Sequence, residues 1–185
     1  MEIEALFIGG SAGSIKVVKE ILENTKTNLP IILGLHRSSA DTSNGLLKVI
    51  EFVAPVPISE PKHLETIQQN HIYLAPPAYH LLIGKNKIFE LSESPLVHYS
   101  RPSIDVLFLS AAQVYQQKML AILLTGANQD GAMGMKSVYD KGGKTIVQHP
   151  EDCFISTMPE AALEITPIHH VFYTKQIIDF LNENL

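Results

Sequence analysis

Residues 5–22 read ALFIGGSAGSIKVVKEIL, and this stretch decides the fold. Residues 5–8 form a short apolar run, and residues 9–13 form a turn of small residues with the pattern G-x-S-x-G. Residues 15–22 then repeat apolar side chains at helical spacing, with lysine and glutamate on the opposite face. We therefore expect a buried strand, a tight turn that presents the hydroxyl of Ser11, and an amphipathic helix.

Apolar segments of strand length alternate with segments of helical periodicity along most of the chain. This alternation is typical of a parallel sheet with crossover helices. We predict a single α/β domain over residues 1–185, with a doubly wound, mostly parallel sheet, helices on both faces and an appended antiparallel hairpin. Predicted strands cover residues 5–8, 31–35, 72–75, 119–124, 145–148 and 170–173, and the hairpin covers 81–91. Predicted helices cover residues 15–22, 45–52, 104–115, a segment ending at Tyr139, 159–163 and 176–181.

Composition excludes several classes of protein. The chain has 185 residues, 45% of them hydrophobic, which predicts a packed core rather than disorder. A formal net charge of −5 argues against sequence-independent binding of nucleic acid or of anionic membranes. The single cysteine, Cys153, excludes an internal disulfide. No apolar run approaches the ~18 residues of a membrane span, and we expect a cytoplasmic protein.

Three chemically capable side chains each follow a predicted strand. Ser11 lies on the turn after the first strand, His36 follows the second directly, and Asp130 lies in the glycine-rich loop after the strand over residues 119–124. Ligands of parallel α/β sheets bind beyond the carboxyl ends of the strands. Each residue alone also fits a structural turn or a helix cap. Together they match a Ser–His–Asp triad, which is defined by geometry and roles rather than by chain order.

A nucleotide- or phosphate-binding domain is the competing interpretation of the same turn. The dinucleotide fingerprint requires G-x-G-x-x-G and an acidic residue at the end of the second strand. The glycines here are spaced differently, and His36 and Arg37 stand where the acid is expected. The remaining histidines show no H-E-x-x-H spacing. We therefore predict neither a metal nor an organic cofactor.

Six segments, in order along nearly the whole chain, resemble the catalytic domain of the chemotaxis protein-glutamate methylesterases, the CheB family. They are residues 8–13, 35–36, 72–76, 101–108, 123–135 and 148–161.

The resemblance implies a domain that hydrolyses glutamate γ-methyl esters on the cytoplasmic helices of chemoreceptors, and that also deamidates receptor glutamines in many members. It implies Ser11 as the nucleophile, His36 as the general base and Asp130 as the residue that orients the histidine. The backbone N–H groups of Ala12 and Ala127 are the expected oxyanion hole.

Three positions depart from the family pattern. Ser14 stands where the turn usually has another glycine, Ala127 where members often have methionine, and Ser100 where a histidine often precedes Arg101. The family's receiver domain has no counterpart in these residues, which predicts a constitutive enzyme, one regulated by other means, or a piece of a larger fusion. A non-catalytic signalling module that retains the fold is the alternative left open at this point, beside the nucleotide-binding one.

Overall fold

A computed structural model describes residues 2–37 and 44–185. The strands in these residues are β1 (Ala5–Gly10), β2 (Ile31–Leu35), β3 (Ile58–Ser59), β4 (Ile72–Leu74), β5 (His80–Gly84), β6 (Ile88–Ser92), β7 (Met119–Leu123), β8 (Lys144–Gln148) and β9 (His170–Phe172). The α-helices are α1 (Ser14–Asn24), α2 (Gly45–Glu51), α3 (Ile104–Tyr115), α4 (Ala132–Asp140), α5 (Thr157–Ile165) and α6 (Thr174–Asn184). Short 3₁₀ helices cover Gln116–Lys118 and Pro150–Asp152.

The main sheet has the order β3-β4-β2-β1-β7-β8-β9 in the described part of the chain, and every pair of neighbours is parallel. After β1 the chain moves to β2 on one side and later returns to β7 on the other side. The carboxyl end of β1 is therefore a topological switch point, where α/β sheets open a crevice for ligands. The turn that carries Ser11 leaves the sheet at this point.

Two apolar clusters cover the two faces of the sheet. One combines side chains of α3, α4, α5 and the β5–β6 hairpin, and the other combines those of α1, α2 and α6. All six residues of β1 are buried between them. Burial on both faces explains why the strands read as continuous apolar runs rather than as alternating patterns. The predicted fold class, with helices on both faces, is confirmed.

The hairpin is a separate two-stranded antiparallel sheet, β5 with β6, that packs against α3. Strand β3 was not predicted, because two residues between Pro57 and Pro61 carry too little pattern to indicate a strand. Helix α5 begins at Thr157, two residues before the predicted start at Pro159. Helix α3 has the predicted bounds.

In the described residues, none of the helices combines the length and the apolar character that crossing a bilayer requires.

Candidate active site

The turn between β1 and α1 is held by backbone hydrogen bonds on both sides of Ser11. The Ser11 amide donates to the carbonyl oxygen of Thr125 at 2.9 Å, which ties the turn to the loop after β7. Gly13 precedes α1 with φ +84°, a left-handed conformation that favours glycine. The side chain of Ser11 is thereby presented beyond the carboxyl end of the central strand.

Ser14 takes an ordinary helical position, because Gly13 already supplies the left-handed residue of the turn. Its hydroxyl donates to the carbonyl oxygen of Ser11 at 2.7 Å, and its amide donates to the same oxygen at 3.0 Å. A Cβ added at Gly10 would lie 2.6 Å from the Ser14 Cβ. The serine therefore braces the turn and leaves room for nothing larger than glycine at position 10.

Ser14→Ala is expected to lower the free energy of unfolding by about 1 kcal/mol, because it deletes one partly buried hydrogen bond and keeps a good helix former. Ser14→Gly is expected to cost about 1 kcal/mol more, since glycine is the poorer helix former. Urea unfolding followed by circular dichroism measures both. Equal stability of all three proteins would contradict the bracing role.

His36 follows β2, and its amide donates to the carbonyl oxygen of Gly10 at 3.1 Å. Its Nδ1 lies 3.1 Å from the Ser11 Oγ, and its Nε2 lies 2.7 Å from the Asp130 Oδ2. The three side chains predicted from sequence thus form one continuous hydrogen-bonded chain. A further hydroxyl, Ser100 Oγ, lies 3.3 Å from Nδ1, so two serines share that side of the imidazole.

Asp130 is fully buried and is surrounded by donors from the start of α3. Its Oδ1 accepts from the Ser103 hydroxyl at 2.8 Å and from the Asp105 amide at 3.0 Å, and its Oδ2 accepts from the Ile104 amide at 2.7 Å. Burial by itself would raise the pKa of Asp130, but the hydrogen bonds from His36 and from these donors outweigh it and lower that pKa. The group is therefore a carboxylate at neutral pH.

The charge of Asp130 decides the tautomer of the histidine. A carboxylate only accepts hydrogen bonds, so the ring proton of neutral His36 lies on Nε2. The lone pair of Nδ1 then faces the hydroxyl of Ser11. The ring is turned relative to the chymotrypsin template, in which Nε2 faces the serine. The arrangement suits abstraction of the Ser11 proton by Nδ1.

The backbone amides of Ala12 and Ala127 are the oxyanion hole expected from the sequence. In the described residues neither amide has a hydrogen-bond acceptor, whereas the amide of Ser11 is occupied by Thr125. Ala127 is exposed and Ala12 is half-buried. The Thr125 hydroxyl lies 3.0 Å from the carbonyl oxygen of Ala12 and 2.9 Å from that of Ile155, which fixes this part of the turn.

A cleft of about 680 Å³ begins beside the turn, at Gly13. Phe154 stands at its edge with 77% of its surface exposed, and a Cβ added at Gly13 would lie 2.4 Å from the Phe154 Cβ. The cleft lies between the starts of α1 and α6. The residues that line it include Gly13, Lys16, Glu20, Thr125, Asp152, Cys153, Phe154, Tyr173 and Lys175.

Several residues around the triad were not identified from the sequence. Ser103 and Asp105 were not singled out, although a serine directly before an apolar helical run is the signal for an N-cap. His98 was not singled out either, and its Nε2 lies 3.4 Å from the Asp105 Oδ2. His80 is buried, with Nδ1 accepting from the Ser103 amide and Nε2 donating to the carbonyl oxygen of Pro95.

Two binding interpretations find little support in the geometry. Arg37, the residue a phosphate-binding variant would use, is 1% exposed at its side chain and paired with Glu60. Donor atoms of His98, Asp105 and Asp130 lie within 4.8 Å of one another. Each oxygen of Asp130 already accepts two hydrogen bonds from protein donors, so this set is a hydrogen-bond network rather than a cation site.

Comparison with known proteins assigns nearly the whole chain to one family. The model of the CheB methylesterase family matches residues 6–181. A putative protein-glutamate methylesterase/protein-glutamine glutaminase of Leptospira interrogans is 40% identical over 181 residues, covering 97% of this chain and 93% of that protein.

A relative from Burkholderia pseudomallei, named protein-glutamate methylesterase/protein-glutamine glutaminase 1, is 33% identical over 176 residues. The match covers 90% of this chain and 46% of that protein. The crystal structure of the Thermotoga maritima CheB methylesterase catalytic domain superposes with a TM-score of 0.92 at 26% identity, over 100% of both chains. The chain with this Ser11–His36–Asp130 arrangement therefore belongs to the CheB methylesterase family, a family of ester hydrolases.

Proposed function

We propose that this chain is a single catalytic domain, residues 1–185, that hydrolyses glutamate γ-methyl esters on the cytoplasmic helices of chemoreceptor-type proteins. The observation that carries the proposal is the hydrogen-bonded chain from Ser11 Oγ through His36 to Asp130, with separations of 3.1 and 2.7 Å. Relatives from Leptospira and Burkholderia are named as methylesterases and glutaminases, which supports the same substrate class.

In the first step, His36 Nδ1 takes the hydroxyl proton of Ser11 while Oγ attacks the γ-carbonyl carbon. The carbonyl oxygen becomes an oxyanion, and the free amides of Ala12 and Ala127 donate to it. Asp130 holds the ring and stabilises the imidazolium that forms. The protonated Nδ1 then gives its proton to the methoxide oxygen, so that methanol leaves and a glutamyl ester of Ser11 remains.

The second step returns the serine. His36 Nδ1 removes a proton from water, whose oxygen attacks the acyl carbon, and the Ser11 Oγ leaves with that proton. The products are the free glutamate side chain and the resting triad. A glutamine side chain follows the same course with ammonia as the leaving group, in keeping with the glutaminase part of the relatives' names. Every step uses side chains and amides of this chain alone.

The cleft beside the turn supports a polypeptide substrate rather than a small free ester. It continues from Gly13 along α1, with an exposed aromatic side chain, Phe154, at its edge. We propose that it receives the residues that flank the esterified glutamate. Aromatic side chains at such edges bind chain segments through large apolar area at low entropic cost.

The test is methanol release from a methylated chemoreceptor cytoplasmic fragment, measured by gas chromatography. We expect methanol in proportion to the ester present, and none above the spontaneous rate from an unmethylated fragment. A folded protein that releases no methanol would contradict the proposal and favour a non-catalytic module. Thermal stabilisation by nucleotides, tested in parallel, would instead indicate a nucleotide-binding domain.

A further inference from the structure

Two carboxylates occupy reciprocal positions at the starts of α3 and α4. Asp130 comes just before α4 and accepts hydrogen bonds from the amides of Ile104 and Asp105, the first two residues of α3. Asp105 in turn accepts through Oδ1 from the amides of Gly131 at 3.0 Å and Gly134 at 2.7 Å, at the start of α4. Asp130 therefore caps α3, the helix that contains Asp105, and Asp105 caps α4, the helix that follows Asp130.

Helix α4 has no N-cap side chain of its own, and Asp105 takes that role. The residue preceding α4 is Gly131, with φ +99° and no side chain to accept from the helix amides. Asp105 contacts the amide of the residue directly after Asp130. A displacement of Asp105 would therefore move the loop that holds Asp130 against His36. Asp105 can therefore affect the triad by fixing the position of Asp130.

Its charge is the second way in which Asp105 can affect the triad. Asp105 is 3% exposed and Asp130 is 0% exposed. Burial raises the pKa of Asp105, and the neighbouring charge of Asp130 adds to the rise, against opposing hydrogen bonds from the glycine amides and the effect of His98. A negative charge at this depth is screened little by water and is felt along the hydrogen-bonded chain.

His98 is the basic side chain that faces Asp105. Its Nε2 lies 3.4 Å from the Asp105 Oδ2, and its Nδ1 lies 3.3 Å from the side-chain amide of Gln129. Its carbonyl oxygen accepts from the side chain of Asn128 at 3.1 Å. The acid-bearing loop thus holds this histidine in place, while 30% of its side chain remains open to solvent protons.

Few other titratable groups face Asp105 in the described residues. Asp130 faces it from the loop before α4, and His98 faces it from the turn before α3. His36 lies beyond Asp130. From β5, His80 reaches the amide of Ser103, and its Nε2 donates to a backbone carbonyl. Asp105 and His98 are therefore the acid and the imidazole that adjoin the proposed triad.

We propose that Asp105 is a positioning residue of the triad, and that its charge, balanced by His98, sets the protonation of His36. The expected change in the pH profile of methanol release rests on the proposed function, whereas the expected change in the His36 titration does not. The negative charge of Asp105 favours the imidazolium form of His36, and a protonated His98 opposes that effect. Removing either charge should move the pH at which His36 titrates, in opposite directions.

The experiment uses Asp105→Asn and His98→Gln in the full chain. Asparagine retains an acceptor for the amides of Gly131 and Gly134, and glutamine retains a neutral donor toward Asp105. Two readouts are recorded against pH: kcat/KM for methanol release, and the NMR titration of the His36 ring. The His36 resonance is assigned with His36→Gln. Asp140→Asn, which removes an exposed carboxylate from α4, the helix that Asp105 caps, is the matched control.

In Asp105→Asn we expect the midpoint of the His36 titration to move to lower pH by about half a unit to one unit. In His98→Gln we expect the same midpoint to move to higher pH. The midpoint of Asp140→Asn should not move. A fixed midpoint in either site variant, or a shift of both in the same direction, overturns the proposal and leaves Asp105 as a helix cap. Since NMR reports His36 without turnover, opposite shifts in a protein that releases no methanol would contradict only the proposed function.

Discussion

Ser11→Ala is expected to abolish methanol release, with a fall in kcat of about 10⁶-fold, the scale at which a nucleophile is lost from a serine hydrolase. The mechanism passes through a covalent bond to Ser11 Oγ, and alanine has no atom that could form it. The neighbouring hydroxyl, Ser100 Oγ, shares the Nδ1 side of His36 at 3.3 Å but lies outside the strand-to-helix turn that presents Ser11.

The loss should occur in a folded protein. Of the bonds that Ser11 makes in the described structure, those that hold the turn involve its backbone amide and carbonyl, and alanine keeps both. Thermal unfolding of the variant should therefore match that of the wild type. Ser94→Ala, which removes an exposed hydroxyl outside the site, is the control and should retain full activity. Residual methanol release near the wild-type rate would exclude Ser11 as the nucleophile.

Asp130→Asn is expected to reduce kcat by about 10⁴-fold, the loss seen when a triad acid becomes an amide. Asparagine has one acceptor oxygen and one donor nitrogen, whereas the site presents donors from His36, Ser103 and the amides of Ile104 and Asp105. If the nitrogen faces His36, the ring proton must move to Nδ1, and Nδ1 can no longer accept the proton of Ser11.

The alternative orientation is equally unfavourable, because the amide nitrogen would then face the donors at the start of α3. We therefore expect lower stability as well, by about 1–3 kcal/mol for a buried donor without an acceptor. Kinetics of methanol release and urea unfolding measure the two effects. Asp140→Asn is again the matched change of charge at an exposed position. Unchanged kcat in a folded Asp130→Asn protein would remove Asp130 from the mechanism.

Asp130 and Asp105 are expected to change the stability of the protein with pH in opposite directions. The pKa of Asp130 is lowered in the folded protein, so its contribution to stability is present above the unfolded pKa and is lost as pH falls through the folded pKa. The pKa of Asp105 is raised, so its ionisation opposes folding as pH rises. The two effects have opposite signs, so their contributions to the pH dependence of stability partly cancel.

Much of the fold was predictable because its signals are local. The apolar run of residues 5–8, the glycines after it and the helical spacing of residues 15–22 lie within 18 consecutive residues. The bounds of α3 followed from the same kind of periodicity. Strand β3 was missed because its two residues carry no periodicity of their own and pair only with β4.

The site was predictable as a set of residue types and not as a network. The sequence by itself determined that a serine, a histidine and an aspartate each follow a buried strand, and it determined the family through ordered motifs. Only the tertiary structure decided that Nδ1 rather than Nε2 faces Ser11, that Ser14 braces the turn, and that Asp105 and His98 adjoin Asp130. The partners of His36 lie 25 and 94 residues away along the chain. Hydrophobic periodicity and turn residues specify local structure, whereas hydrogen bonds between distant residues exist only once the strand order has brought β1, β2 and β7 side by side.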